Sequence, residues 1–345
     1  MGQHISRRSA LATGALAAGA IIGGETDRAE AQKFAPTQGA AYLAPFSPPD
    51  STKPKLTPGR TPIRLSCSAH CLHYSKDMDI PARVREIRAA GYTACEANDQ
   101  WKLASDSEIR ELNDALKSHD LMFYAIHRCI NNIHPDDAER RKINKQVAEN
   151  VGTADRLGLK FIVSHTGSCS PKSATMPHRD NWTMETWKLS VNALKQILRD
   201  TSGSKVKLAI EALNPCNINN PWAHVKLRED VGDPRITVTL DPQNMLNMTT
   251  YYRTTELVNT CFDLLGEDIS YAHCKDVLLK DTMLPAFEWV VVGTGTMDYE
   301  TYLTRLSRLE YTRPLFLEFL PAEKYPLAKK FVEETAARIG VKIYS

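Results

Sequence analysis

Val206-Lys207-Leu208-Ala209-Ile210-Glu211 is a short apolar run that closes on a carboxylate. The next such run ends Val238-Thr239-Leu240-Asp241, the one after it Tyr271-Ala272-His273, and the last Leu315-Phe316-Leu317-Glu318. Short runs rich in β-branched and large apolar residues, bounded by polar segments, are strands. Four strands in succession thus end in Glu, Asp, His and Glu.

Outward from these, four earlier runs have the same texture, at 63–67, 92–96, 121–126 and 161–164, and the later four span 206–211, 236–241, 269–273 and 315–319. Between the eight lie stretches of helical period, at 80–90, 105–118, 136–157, 184–199, 254–265, 299–307 and 322–339. In the third of these Ile143, Val147, Val151 and Ala154 recur at i, i+4, i+8 and i+11, one face of an amphipathic helix. Ser105 followed by Glu108 reads as a capping box for the second. Strands alternating with helices make a parallel β/α architecture. Eight such units within 63–345 predict an α/β fold of one domain, a (β/α)8 TIM barrel. A doubly wound sheet would use fewer units and a Gly-rich first turn, and no G-x-G-x-x-G follows the first run.

The chain has 345 residues with 43 Lys+Arg against 41 Asp+Glu, a formal charge of +2, and 42% hydrophobic residues. This composition excludes a disordered chain, a fibre and a polytopic membrane protein. It also argues against a nucleic-acid partner, since phosphate backbones are held by clustered positive charge. Residues 1–31 stand apart. Arg7-Arg8 precedes a small-residue apolar run from Leu11 to Gly23, and Ala29-Glu30-Ala31 offers a cleavage site. That pattern predicts a twin-arginine-type signal, an exported and periplasmic protein, and no stable membrane insertion after cleavage. Residues 32–62, with Pro45, Pro48, Pro49, Pro54, Pro58 and Pro62, read as a Pro-rich arm. Eight cysteines are too few for a disulfide scaffold, and most lie in or beside apolar runs as small core residues. Cys67 and Cys71, with His70 and His73, are the one close pair and a minor candidate for a metal site.

In a parallel barrel, the C-terminal ends of the strands build the active site. Glu211, Asp241 and Glu318 would meet there with His273, and three anionic groups in one mouth repel unless a cation neutralises them or they share protons. A hard divalent ion with oxygen ligands and one imidazole answers that: Mn²⁺, Mg²⁺ or Co²⁺, with Zn²⁺ as a further candidate.

From Ile63 onward the chain resembles the xylose-isomerase-like TIM-barrel superfamily. That group contains sugar-phosphate isomerases and epimerases, ketose 3-epimerases, inosose dehydratases and, more distantly, endonuclease IV. The resemblance rests on Ile210-Glu211, Leu240-Asp241-Pro242, His273-Cys274-Lys275-Asp276, Gly293-Thr294-Gly295-Thr296-Met297-Asp298-Tyr299 and Leu317-Glu318-Phe319, in that order. It implies that Glu211, Asp241, His273 and Glu318 ligate one divalent metal. It also implies that Glu211 and Glu318 flank the reacting carbons of a sugar as the catalytic acid/base pair. A proton alpha to a carbonyl is too weakly acidic to leave unaided at neutral pH, so a metal and a carboxylate fit the task. In one respect the chain departs from the pattern. Ketose epimerases and endonuclease IV carry a histidine three residues after this aspartate, where Asn244 stands here.

Further substrate-binding candidates are His127 and His165 after the third and fourth strands, Asn244, Lys275, Glu96 at the end of the second, and Trp101 in the following loop. Lys275 has a surface ion pair with Asp276 as its alternative role. Trp182 and Trp222 share with Trp101 the chance to stack on a sugar, and Gly293-Thr294-Gly295 could admit a phosphate at a helix N-terminus. The expected activity is a divalent-metal-dependent sugar isomerase or epimerase. A lyase acting on keto-sugars or 3-keto-glycosides by β-elimination is the alternative, and a non-catalytic carbohydrate-binding barrel the third. The expected partner is a small carbohydrate, and a homo-oligomer is compatible with all three.

Overall fold

A computed structural model describes residues 56–68, 78–97, 101, 103, 105–128 and 130–345. The signal segment, the arm up to residue 55, and His70, Cys71 and His73 lie outside the described residues.

Eight parallel strands form a closed ring: β1 (Ile63–Ser68), β2 (Ala94–Ala97), β3 (Met122–His127), β4 (Phe161–Ser164), β5 (Lys207–Glu211), β6 (Ile236–Leu240), β7 (Ile269–Cys274) and β10 (Pro314–Leu317). Each pairs with the next, and β10 closes the ring on β1 with Leu315 against Leu65 and Leu317 against Cys67. A helix follows every barrel strand: α1 (Ile80–Ala89), α2 (Asp106–Ser118), α3 (Asp137–Arg156), α4 (Met184–Asp200), α5 (Pro221–Val231), α6 (Thr254–Leu265), α7 (Tyr299–Leu306) and α8 (Tyr325–Ile339). The capping box at α2 is present in both directions: Ser105 accepts from the Glu108 amide, and Glu108 accepts from the Ser105 amide. Its buried face, Ile109, Leu112, Ala115 and Leu116, is the apolar stripe that packs on the barrel.

Three elements differ from the sequence reading. α5 lacks a broad apolar face; Asn220 caps it, Pro221 starts it and Gly232, at φ 69°, ends it in the left-handed conformation. An antiparallel hairpin, β8 (Asp276–Leu279) and β9 (Phe287–Val290), occupies the segment after the seventh strand, to which the sequence reading assigns no element. A two-residue strand, β11 (Ile343–Tyr344), pairs with the start of β1. The end of the arm is tied down below the barrel. Thr61 donates its hydroxyl to the Leu309 carbonyl at 2.6 Å, and Gly59 lies so close to Ser307 that a Cβ would fall 2.0 Å from its carbonyl oxygen. The six described cysteines, Cys67, Cys95, Cys169, Cys216, Cys261 and Cys274, are buried thiols.

Strand periodicity positions the site. Side chains alternate between the faces of a strand, so in a barrel one set meets the helices and the other the axis. Leu65, Leu208, Ile210, Val238, Leu240 and Leu315 belong to the large core under the helices. Ala125, Val163, Ala209, Tyr271 and Phe316 form a separate cluster on the axis, with the Tyr271 and Phe316 rings edge to face at 5.1 Å. Two residues further along the same faces stand His127, His165, Glu211, His273 and Glu318. The polar layer therefore rests on a buried apolar floor.

His224 on α5 is buried, and its Nε2 has no hydrogen-bond partner among the described residues. Burial, with Arg228 nearby, holds its imidazole down at about 3. A histidine whose pKa is depressed on folding takes up its proton in the unfolded chain first, so acidification through the unfolded value near 6.5 destabilises the fold. Between pH 7 and pH 5 this one residue is expected to cost about 2 kcal/mol. Urea unfolding of the wild type and His224→Gln at both pH values checks it; an unchanged pH difference in the variant would refute the assignment.

Candidate active site

Glu211 closes β5, Asp241 and Glu318 lie one residue past β6 and β10, and His273 is near the end of β7. One ligand atom from each can be chosen so that all four lie within 4.8 Å of one another, and all four residues are buried. His273 Nδ1 is 3.1 Å from Glu211 Oε1, 3.3 Å from Glu318 Oε2 and 3.5 Å from Asp241 Oδ2. Lys275, two residues further along β7's inward face, sends its ammonium to the same group. Its Nζ is 2.7 Å from Asp241 Oδ2, 2.7 Å from Glu318 Oε2 and 3.4 Å from Glu211 Oε1. Asn244 completes the set by donating Nδ2–H to Glu211 Oε1 at 2.7 Å.

The charges oppose burial. Burial pushes the Glu211 carboxyl up, but Lys275 and His273 hold it well below the usual carboxylate range. Burial pulls the His273 imidazole down, and Glu318 and Glu211 raise it well above its ordinary value. Glu211 is thus an ionised base in a low-dielectric setting. Asp276 does not pair with Lys275. It accepts from the backbone amides of Val277, Gly293, Gly295 and Met297 at 3.0–3.1 Å, fastening the loop before α7 under the hairpin. The Gly293 and Gly295 amides that a phosphate would need are therefore engaged by an internal carboxylate, and the Thr294 amide by the Val291 carbonyl. Gly295 has room for nothing larger, since a Cβ there would lie 2.2 Å from Asp276 Oδ1.

A second group lies beside the first. Glu96 accepts from Ser68 Oγ and from Tyr271 OH, the latter at 2.9 Å, and its Oε1 is 3.5 Å from His127 Nδ1. Ser68 Oγ also reaches Glu318 Oε1 at 2.9 Å, and His127 Nε2 is 3.8 Å from Glu211 Oε2. Burial pulls the His127 imidazole down, but the bond to Glu96 and the charges of Glu96, Glu318 and Glu211 raise it overall. Glu96 is fully buried and is not among the residues lining the cavity; its carboxylate lies against His127.

Above these groups opens a cavity of about 640 Å³. Polar side chains in its wall include Glu211, His127, His165, Gln243, Asn244, Lys275 and Glu288. His165 is buried, neither ring nitrogen has a partner among the described residues, and burial lowers its pKa to about 4. It is a neutral imidazole able to give or take a hydrogen bond. Apolar residues of the cavity wall include Leu213, Leu246, Phe287, Trp289 and Phe319, the last with its ring 4.6 Å from the Lys275 ammonium. Trp101 is in neither set. It is packed in the core, its ring stacked on Phe123 at 6.1 Å. Trp182 and Trp222 are likewise outside the cavity wall. The indole in the wall is Trp289, on the hairpin, which the sequence reading passed over. The alternation Phe287-Glu288-Trp289-Val290 against Val277-Leu278-Leu279 was the signal that could have found it.

The donor set fits a divalent metal. With His273 neutral, as a metal ligand must be, three carboxylates contribute −3 and Lys275 +1, so −3 + 1 = −2, the charge that one divalent cation cancels. Carboxylate oxygens with one imidazole suit Mg²⁺ or Mn²⁺, and His273 Nε2 has no hydrogen-bond partner among the described residues.

Residues 84–336 match the protein family described as the xylose isomerase-like TIM barrel. No curated protein is similar enough in sequence to match. Among solved structures, a xylose isomerase domain protein from Planctomyces limnophilus superposes with a TM-score of 0.62 at 15% identity, over 81% of this chain and 99% of that one. A xylose isomerase-like TIM barrel protein from Mycobacterium smegmatis in complex with magnesium gives 0.62 at 14%, over 81% and 96%. A D-allulose 3-epimerase from Methylomonas sp. in complex with D-allulose gives 0.60 at 14%, over 81% and 99%. At these identities the likeness is one of fold.

Proposed function

The chain belongs to the xylose isomerase-like TIM barrel family, and on that premise we propose that it is a divalent-metal-dependent enzyme that moves a proton alpha to the carbonyl of a sugar. The observation that carries this is the ionised, buried Glu211 carboxylate in the wall of a sugar-sized cavity, backed by Asp241, His273, Glu318 and Lys275. The relatives crystallised with magnesium and with D-allulose support a metal and a carbohydrate. The twin-arginine-type segment supports an exported protein and so an unphosphorylated sugar.

Glu211, Asp241, His273 and Glu318 would hold the metal, which polarises the substrate carbonyl when bound. Glu211 removes the alpha proton, and Lys275 and Asn244 stabilise it as the carboxylate before the transfer. His165 and His127 hydrogen-bond the sugar hydroxyls and fix which carbon faces Glu211. Returning a proton from Glu318 on the other side gives epimerisation or, at the neighbouring carbon, isomerisation.

One observation favours elimination as the second reading. Glu211 lines the cavity, whereas Glu318 lies beneath Lys275 and Ser68. The cavity therefore offers one carboxylate base and, in His127, one raised imidazole as acid, the pair needed to remove an alpha proton and protonate a departing β-oxygen. Incubation with aldoses, ketoses and 3-keto-glycosides in D₂O, followed by NMR, tests both. Deuterium in a rearranged sugar indicates isomerisation or epimerisation, and release of the β-substituent indicates elimination. Absence of exchange with every keto-sugar would refute proton transfer.

A further inference from the structure

We propose that the aromatic wall of the cavity, Phe287, Trp289 and Phe319, is a subsite for a planar aromatic group joined to the sugar, so that the substrate is a keto-glycoside with an aromatic aglycone rather than a free monosaccharide. The inference rests on the alpha-proton reading for the sugar end and extends it to the rest of the ligand.

A cavity of about 640 Å³ has the size that buries drug-sized ligands, more than one sugar ring fills. Its wall combines two chemistries. Glu211, His127, His165 and Lys275 serve hydroxyls and a carbonyl, whereas Phe287, Trp289 and Phe319 present aromatic carbon surface, with Glu288 of the same hairpin also in the wall and paired with Lys280 at 2.8 Å. Sugar hydroxyls buried against that surface would lose water without replacement.

The aromatic wall is built and held. Trp289 and Phe319 stack at 4.6 Å with 30° between their planes, yet remain 58% and 41% exposed, so their outer faces stay in water. Leu279 donates its amide to Tyr251 OH at 3.0 Å, and the Phe287 ring lies 5.6 Å from that of Tyr251, which anchors the hairpin. Phe319 adopts φ 54°, a left-handed conformation that a bulky residue rarely takes. Strain of this kind persists where the surroundings over-determine it, and here it sets the ring immediately after Glu318. The Lys275 ammonium, 2.7 Å from Glu318, lies 4.6 Å from the centre of the Phe319 ring. The aromatic wall thus begins beside Lys275, the side chain that pairs with the carboxylates.

The test is isothermal titration of the full chain in Mn²⁺ with 4-nitrophenyl β-D-glucopyranoside and methyl β-D-glucopyranoside. The aryl glycoside is expected to bind about tenfold tighter or more, from the buried ring and its stacking. Trp289→Ala should bring the two affinities to within about threefold, and Trp289→Phe should restore most of the difference. Equal affinities in the wild type, a preference that survives Trp289→Ala, or binding of neither probe overturns the subsite. Wild-type deuterium exchange on free keto-sugars is measured in parallel. Exchange without aryl preference rejects the subsite and leaves the proton-transfer reading standing, while aryl preference without exchange on any keto-sugar supports the subsite and rejects that reading.

Discussion

Glu211→Gln is expected to lower kcat on a keto-sugar by about 10³-fold or more, near the upper range for a lost general base. The amide keeps the shape of the carboxyl, and its oxygen still accepts from Asn244, so the fold and the cavity persist. It cannot take a proton. It also removes a charge that Lys275 and His273 face at 3.4 Å and 3.1 Å, so the site loses a metal donor along with its base. Steady-state rates and alpha-proton exchange, with circular dichroism as the control for folding, check this. A variant within tenfold of the wild type would remove Glu211 from the mechanism. Glu318→Gln separates the two readings: under two-faced proton return it blocks product formation while exchange at Glu211 continues at a measurable rate, and under elimination the two activities fall together.

Removal of the divalent ion is the second large effect. Chelation followed by gel filtration is expected to abolish turnover, with Mn²⁺, Mg²⁺ or Co²⁺ restoring it. Its physical basis is the residual charge of −2 on Asp241, Glu211, Glu318 and Lys275 within a buried mouth. A ligand at one hundred times its Kd stabilises the native state by about 2.7 kcal/mol. Re-addition should therefore raise Tm by about 5 °C or more for a domain of this size. Asp241→Asn, which contributes to no proposed proton transfer, should lose most of that rise. Full turnover after chelation, together with no thermal shift from Mn²⁺, Mg²⁺, Co²⁺ or Zn²⁺, would eliminate the metal.

The ring of strands was legible because each is a short apolar run with a period of two, and β4 spans the very residues the sequence indicated, 161–164. The strand-end residues were legible for the same reason. A residue two positions beyond Ala209, Tyr271 or Phe316 faces the axis whatever its type, and Lys275 continues that series past His273. The hairpin was not, because its strands are four residues long and the intervening segment from Lys280 to Ala286 breaks the alternation. Glu96 and Trp101 show a further limit. Proximity to a strand end indicates the mouth of the barrel, but which side chain reaches the cavity depends on packing between strands, and Glu96 is intercepted by Ser68 and Tyr271. Trp101 turned inward because Phe123 offered its ring more apolar contact than the solvent did.

The pairing of β1 with β10 ties residue 65 to residue 315. A ribosome delivers the first strand long before the last, so during synthesis β1 exposes an unpaired edge while most of the barrel is still being made. That edge is a template for another chain until β10 arrives. Truncation before residue 314 would leave it open permanently, together with the free side of β7. For this protein β10 is the strand that closes the ring, and a shortened version for expression has to retain it.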